Sequence, residues 1–315
     1  MSPYRNSLPQ LNADVFLTDG GLETTLIFDD GLELPDFAAF VLHDHPVGRE
    51  ALVRYFDNYA TIAVRDRVGV VLETATWRAN PDWAARRGYS LDRLDAANRS
   101  AVELLHETRR RHETADTPIV ISGCIGPRGD GYQAGALMTA EEAAAYHSRQ
   151  AAVFAEAGAD LITAITMTYP DEAIGVTEAA RAAGMPVVIS FTVETDGNLP
   201  TGQSMAAASD TVDQATGSYP LYYMINCAHP NHFAHTLDAE QPWVARIRGI
   251  RANASKMSHA ELDEAETLDG GDPDELAKDY RSLRAAIPNL TVLGGCCGTN
   301  HHHISAISAE FSRAS

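Results

Sequence analysis

The chain has 315 residues, 45% of them hydrophobic, and carries 24 lysines and arginines against 43 aspartates and glutamates, a net charge of −19. That length fits one large domain or two ordinary ones, with apolar residues enough for a sizeable core. So acidic a surface, with no basic stripe, repels phosphate backbones and argues against nucleic acid as a partner; no apolar run reaches the length of a membrane span.

The stretch Met1–Asn12 is polar and lacks the apolar segment of a secretory signal. With only four cysteines, a reducing cytoplasm is expected, where cysteines serve metals or catalysis rather than disulfides.

In chain order, Val15-Phe16-Leu17 reads as a strand ending in the turn Asp19-Gly20-Gly21. Leu52, Tyr55, Phe56, Tyr59, Ile62 and Ala63 recur at helical spacing. A second strand, Gly69 to Leu72, runs into Glu73-Thr74-Ala75-Thr76-Trp77, and Ser90 is placed to cap the next helix. The third strand, Pro118 to Ser122, leads into Gly123-Cys124-Ile125-Gly126-Pro127. Thr139 and Glu142 form a capping box, with Gly158 as the stop of that helix.

The fourth strand is expected over Ala159 to Thr166, a helix over Asp171 to Ala183, and the fifth strand over Pro186 to Phe191. After a short helix near Met205 to Ala215 come a sixth strand (Leu221 to Cys227) and a seventh (Arg246 to Ala252). Asp272-Pro273 opens a helix with proline in its first turn. Leu290 to Leu293 is the eighth strand, and Thr299 is placed to cap a last helix bearing Ile304, Ile307 and Phe311.

Eight strand–helix alternations, without a linker or internal repeat, favour an α/β fold: a single (β/α)8 TIM barrel spanning residues 1–315. The surplus over about 250 residues goes into long βα loops, at Asp29–Pro46, Gly126–Met138 and Asn253–Asp272.

Such barrels carry their chemistry at the C-terminal strand ends. All four cysteines fall there: Cys124, Cys227, and the adjacent pair Cys296-Cys297 inside Leu293-Gly294-Gly295-Cys296-Cys297-Gly298-Thr299. Adjacent cysteines rarely bond to each other, and no paired C-x-x-C spacing marks a structural site. Three thiolates, Cys227, Cys296 and Cys297, plus one open position describe a catalytic zinc (Zn2+) site; Cys124 is left as a small buried hydrophobe. A metal already ringed by three negative sulfurs activates water poorly, and suits a substrate thiol better, so the expected reaction is alkyl transfer to sulfur.

The motifs Asp19-Gly20-Gly21, Thr74-Ala75-Thr76-Trp77, Ser122 to Pro127, Asn226-Cys227 and Gly294 to Gly298 resemble, in that order, those of the homocysteine S-methyltransferases. The resemblance implies a zinc enzyme of the cytoplasm that methylates a small-molecule thiol acceptor, homocysteine, to methionine. It implies zinc on Cys227, Cys296 and Cys297. Asp19, Gly20, Gly21, Thr76 and Asn226 would lie where the substrate is bound. No cobalamin-binding module is present, so the methyl donor is expected to be a small onium compound: S-methylmethionine, S-adenosylmethionine or a betaine type. One departure bears on the acceptor. Where the family has a glutamate after the fourth strand, this chain has Ile165, so Glu73 or Glu194 must take over, or the acceptor is another thiol or a selenol.

Less specific readings stand beside these. Asp19-Gly20-Gly21 can be a plain turn, and Asn226 can fix backbone near Cys227. Trp77 and Tyr169 are candidates for a cation–π wall against an onium donor. The histidines, including His301-His302-His303, read as solvated, with His229 set apart because it follows Cys227 by two residues. A metal-free redox sensor built on Cys296-Cys297 is the alternative from another class. Oligomeric state is left open.

Overall fold

The structure, a computed structural model, describes residues 2–12, 14–265 and 267–312. Eight strands, β1 (Phe16–Thr18), β2 (Gly69–Glu73), β3 (Ile119–Ile125), β4 (Leu161–Met167), β5 (Val187–Thr192), β6 (Tyr223–Asn226), β7 (Ile247–Ala252) and β8 (Val292–Gly295), pair in parallel in sequence order. Pairing of β1 with β8 closes them into a barrel. A helix follows each strand: α1 (Pro46–Asp66), α2 (Leu91–His112), α3 (Ala140–Ala157), α4 (Pro170–Ala182), α5 (Met205–Thr216), α6 (Pro230–Phe233), α7 (Pro273–Ala286) and α8 (His301–Ser312). The fold is the (β/α)8 barrel. Among the described residues no helix is long and apolar enough to cross a membrane.

The caps explain where several helices start. Ser90 accepts the Arg93 N–H, Thr139 and Glu142 complete their capping box, and Asp272 accepts the N–H groups of Asp274 and Glu275. Gly158 ends α3 at φ 88°, a left-handed conformation that glycine adopts freely. Thr299 does not cap α8. Its hydroxyl donates to the Cys296 carbonyl at 2.7 Å, and Asn300 Oδ1 takes the His302 N–H instead.

Strand boundaries move by one to three residues from the expected ones, the largest shift being the end of β3 at Ile125 rather than Ser122. β4 starts at Leu161 because the buried Asp160 carboxylate accepts the Ile121 N–H at 2.7 Å and pairs with Arg109. β8 starts at Val292, where pairing with Phe16 of β1 and Gly249 of β7 begins. An unexpected helix, Pro81–Arg86, is capped by Asn80, and the loop after β7 carries another, His259–Glu264.

Every strand but β7 is buried along its whole length, and β7 at all but one position, as in a sheet covered on both faces. Alternate residues (Leu17, Leu72, Ile121, Ile162, Ile189, Ile225, Ile250, Leu293) pack outward against the helices. The residues between them point into the barrel. At its N-terminal end these are Phe16, Val71, Val120, Leu161, Val188, Met224 and Val292, closed from below by Leu8. Further along the same strands the inward positions are Thr18, Glu73, Ser122, Thr163, Ser190, Asn226 and Arg251, all buried.

Candidate active site at the C-terminal rim

Cys227 follows β6, while Cys296 and Cys297 follow β8. Their sulfurs lie within 4.8 Å of one another. The end of β7, between those strands, holds both. Cys227 N–H donates to Arg251 O (3.1 Å), Cys296 N–H to Ala252 O (2.8 Å), and Ala254 N–H to Cys297 O (3.0 Å). The Asp-Gly-Gly turn packs from the other side, where a Cβ on Gly21 would meet the Cys296 carbonyl oxygen at 2.5 Å. Only glycine fits so close an approach.

Cys227 has φ 54° and Thr166 φ 65°. Such backbone is costly outside glycine, above all for a β-branched residue, and persists where neighbours fix it. Asn226 is that neighbour for Thr166. Its Oδ1 accepts the Thr166 N–H (3.0 Å) and the Ser190 hydroxyl (2.6 Å), while its Nδ2 donates to Thr166 Oγ1 (2.9 Å). Asn226 therefore shapes the site through backbone and does not line the cavity.

Cys227 and Cys296 are joined as a disulfide, with Cα atoms 5.4 Å apart, and Cys297 and Cys124 are free. This differs from the three separate thiolates expected. The Cα separation is well within disulfide reach, so the backbone that converges three sulfurs for a metal also allows two of them to bond. The donor set fits zinc when reduced: three sulfurs on one point are a soft set for a borderline-soft ion and leave a position open. His229 is not part of it. Its Nδ1 accepts the Asn231 N–H and caps α6, and burial lowers its pKa to about 4.

The sulfur cluster opens on a cavity of about 350 Å³, lined also by Asp19, Gly20, Gly21, Glu23, Glu73, Trp77, Arg78, Cys124, Tyr132, Ile165 and Arg251. Arg251 was not anticipated. It is buried, and its Nη1 reaches Asp19 Oδ1 (2.8 Å) and Glu73 Oε2 (2.9 Å), while Nε and Nη2 donate to Gly295 O and Gly20 O. One guanidinium thus ties β1, β2, β7 and β8 together and is shared by two acids. Glu194, the other replacement considered for the missing glutamate, binds His259 Nδ1 (3.1 Å), whose Nε2 meets Cys227 O (2.6 Å). Tyr132 stacks on His259 with centroids 4.1 Å apart and brings its hydroxyl to 3.1 Å from Cys297 Sγ. Burial pushes the Cys297 and Cys124 thiols above the usual range.

Two further expectations resolve differently. Thr76 is fully buried, its hydroxyl shared with Thr74 Oγ1 (2.6 Å) and donated to Cys124 O (2.7 Å), and it does not line the cavity. Trp77 does line it, whereas Tyr169 turns away and accepts the Met138 N–H. Glu23, in a short helical turn (Leu22–Thr24) after the Asp-Gly-Gly motif, and Tyr132, in a loop, were missed because neither belongs to a strand end or a long periodic element. Arg251 ends a strand, and the strand-end rule could have found it.

Comparison with known proteins agrees with this geometry. The family described as homocysteine S-methyltransferase matches residues 16–311. Homocysteine S-methyltransferase 1 of Arabidopsis thaliana is 23% identical over 94% of this chain and 93% of its own. Selenocysteine Se-methyltransferase of Brassica oleracea var. italica is 24% identical over 75% and 73%. The fold is that of the homocysteine methyltransferase MmuM from Escherichia coli in its metallated form, at TM-score 0.73 and 21% identity over 94% of this chain and 96% of that one. With a family match over nearly its whole length and a cysteine cluster at the catalytic end of its barrel, the chain belongs to the homocysteine S-methyltransferase family and is a methyltransferase.

Proposed function

We propose that the enzyme transfers a methyl group from a small onium donor to the sulfur of homocysteine, giving methionine, at a zinc (Zn2+) site formed by Cys227, Cys296 and Cys297. The observation that carries this is the convergence of the three sulfurs, within 4.8 Å of one another, on the wall of a cavity of substrate size. Zinc, when bound there, supplies acidity to a thiol at its open position, making it a thiolate near neutral pH. We place the reaction in a reducing cytoplasm, where Cys227 and Cys296 stay thiols.

The chain's own residues suit a cationic donor. Trp77 stands on the cavity wall with Phe28 and Phe37, each 48% exposed. Asp130, Asp263 and Asp269 line the same cavity. Aromatic faces and carboxylates both favour a sulfonium or quaternary ammonium centre. On transfer the donor's bond to the methyl carbon breaks, its electron pair stays on the donor atom, and a new carbon–sulfur bond forms on the acceptor. The donor loses its positive charge in that step, so these walls hold donor better than product. S-methylmethionine is the first choice, with S-adenosylmethionine or a betaine type as the others.

A selenol acceptor is the second reading. It is supported by Ile165 in place of the expected glutamate and by the selenocysteine methyltransferase among the relatives. The test is methylation of L-homocysteine to methionine by reduced, zinc-loaded protein given S-methylmethionine, followed as homocysteine consumed with two methionines formed per turnover. Se-methylselenocysteine is followed in a parallel reaction with L-selenocysteine. Methionine formed by the wild type and not by Cys297→Ala supports the main reading. No methionine from any onium donor overturns it.

A further inference from the structure

Ile165, 6% exposed, gives the cavity an apolar wall where an amino group would need a carboxylate. An ammonium buried against hydrocarbon is costly unless paired, so another acid must meet it if the acceptor is an amino acid. Glu73 and Asp19 are both already held by Arg251, at 2.9 and 2.8 Å, and Glu194 is bound to His259. Asp130 and Asp263 are exposed, and Asp269 accepts the Ser255 hydroxyl. That leaves Glu23, two residues past the Asp-Gly-Gly turn. It lines the cavity and makes no ion pair and no hydrogen bond to another side chain among the described residues, feeling Arg78 and Arg251 only through space.

Arg78 lines the same cavity and is 5% exposed. Its guanidinium lies between the rings of Trp77 (4.1 Å) and Trp83 (3.9 Å), which fixes its plane. Nη1 donates to Gly129 O (2.7 Å), Asp130 is 3.7 Å from Nη2, and Nε has no partner. A buried arginine held flat, with donors to spare, matches a carboxylate's geometry. Glu23 and Arg78 sense each other's charge without pairing, and Glu23 also raises the Cys297 thiol electrostatically. A free acid and an underused base therefore face one space beside the sulfur cluster.

We infer that Glu23 and Arg78 form a clamp for the zwitterionic end of an α-amino-acid acceptor, Glu23 taking the ammonium and Arg78 the carboxylate, with the acceptor's sulfur or selenium toward Cys297. The clamp rests on the methyl-transfer function proposed above and assigns to these two residues the substrate grip that the chain lacks at Ile165. Burial pushes the Glu23 carboxyl up to about 7, with Asp19 adding to the rise, as befits an acid whose cation is the ligand itself.

The test is calorimetric binding to reduced, zinc-loaded protein of three probes: L-homocysteine, 4-mercaptobutyrate, which lacks the ammonium, and 3-mercaptopropylamine, which lacks the carboxylate. Wild type is expected to prefer homocysteine to either analogue by about 10-fold or more, the worth of a hydrogen-bonded charge. Glu23→Gln, nearly isosteric, should lose the preference over 4-mercaptobutyrate and keep that over 3-mercaptopropylamine. Arg78→Gln should do the reverse; because Arg78 also packs between two tryptophans, the Glu23 variant decides if this one fails to fold.

A Glu23→Gln protein that discriminates like wild type overturns the clamp, as does one that changes only the KM of the onium donor. Wild type that binds none of the probes overturns it too. Methionine formation is followed separately on wild type. Methyl transfer with unchanged probe selectivity in the variants removes the clamp and leaves the function. Clamp-dependent binding without methionine formation removes the function and leaves the clamp.

Discussion

At the N-terminal end of the barrel, Phe16, Val71, Val120, Leu161, Val188 and Val292 fill the interior with hydrocarbon. Two residues further along the same strands stand Thr18, Glu73, Ser122, Thr163, Ser190 and Gly294. The period-two alternation of a strand points both sets the same way, so one backbone pattern builds a dry floor and a polar rim. The floor needs only volume and hydrophobicity. At the rim each polar atom needs a partner, and the partners are specific: Ser122 with Thr163 (2.7 Å), Ser190 with Asn226 (2.6 Å), Arg251 with Asp19 and Glu73. The floor should tolerate substitution at a cost in stability alone, and the rim should lose chemistry.

The largest effect is expected at the sulfurs. Cys297→Ala should bring methyl transfer to background and zinc content from about one per chain to near zero, since a site of three protein ligands cannot spare one; metal analysis of the purified protein checks this. Oxidation should act likewise through the Cys227–Cys296 bond, and a thiol reductant should restore zinc uptake.

Next is Arg251→Met, which leaves Asp19 and Glu73 buried without their cation and should cost about 3–5 kcal/mol in denaturant unfolding, with activity lost as well. The counterpart on the floor, Leu161→Ala, should cost about 2–5 kcal/mol by cavity formation yet keep zinc content and kcat. If Leu161→Ala loses zinc in the folded protein, the two ends are not separable in the way described.

A smaller effect concerns pH. Glu23 must be ionised to hold an ammonium, and burial raises its carboxyl to about 7, opposed by Arg78 and Arg251 and reinforced by Asp19. Affinity for homocysteine should therefore rise between about pH 6 and pH 8 more steeply in wild type than in Glu23→Gln, because only wild type must release that proton. The acceptor thiol titrates equally in both, so the difference between their slopes isolates Glu23. Smallest is Thr76→Val, which removes the hydrogen bond to Cys124 O at about 1 kcal/mol, with little change in acceptor KM.

The same contrast explains what the sequence could tell. Strands and floor were legible because hydrophobic runs and turn residues repeat eight times. The cysteine cluster was legible because only four cysteines exist and the strand-end rule brings them to one rim. The polar rim was harder. Thr76 and Asn226, expected at the substrate, are occupied by Cys124 O and Thr166, since buried polar groups take protein partners when these are within reach. Glu73, weighed as a replacement for the missing glutamate, is held by an arginine 178 residues away. Pairings of that kind depend on barrel closure, which residue spacing along the chain does not encode.

X-ray absorption at the zinc edge of the reduced, reconstituted protein tests the central claim most directly. Three sulfur neighbours at about 2.3 Å, lost together in Cys297→Ala, are predicted. A shell of nitrogen and oxygen, or fewer than three sulfurs in wild type, would contradict the assignment of Cys227, Cys296 and Cys297 as the metal site.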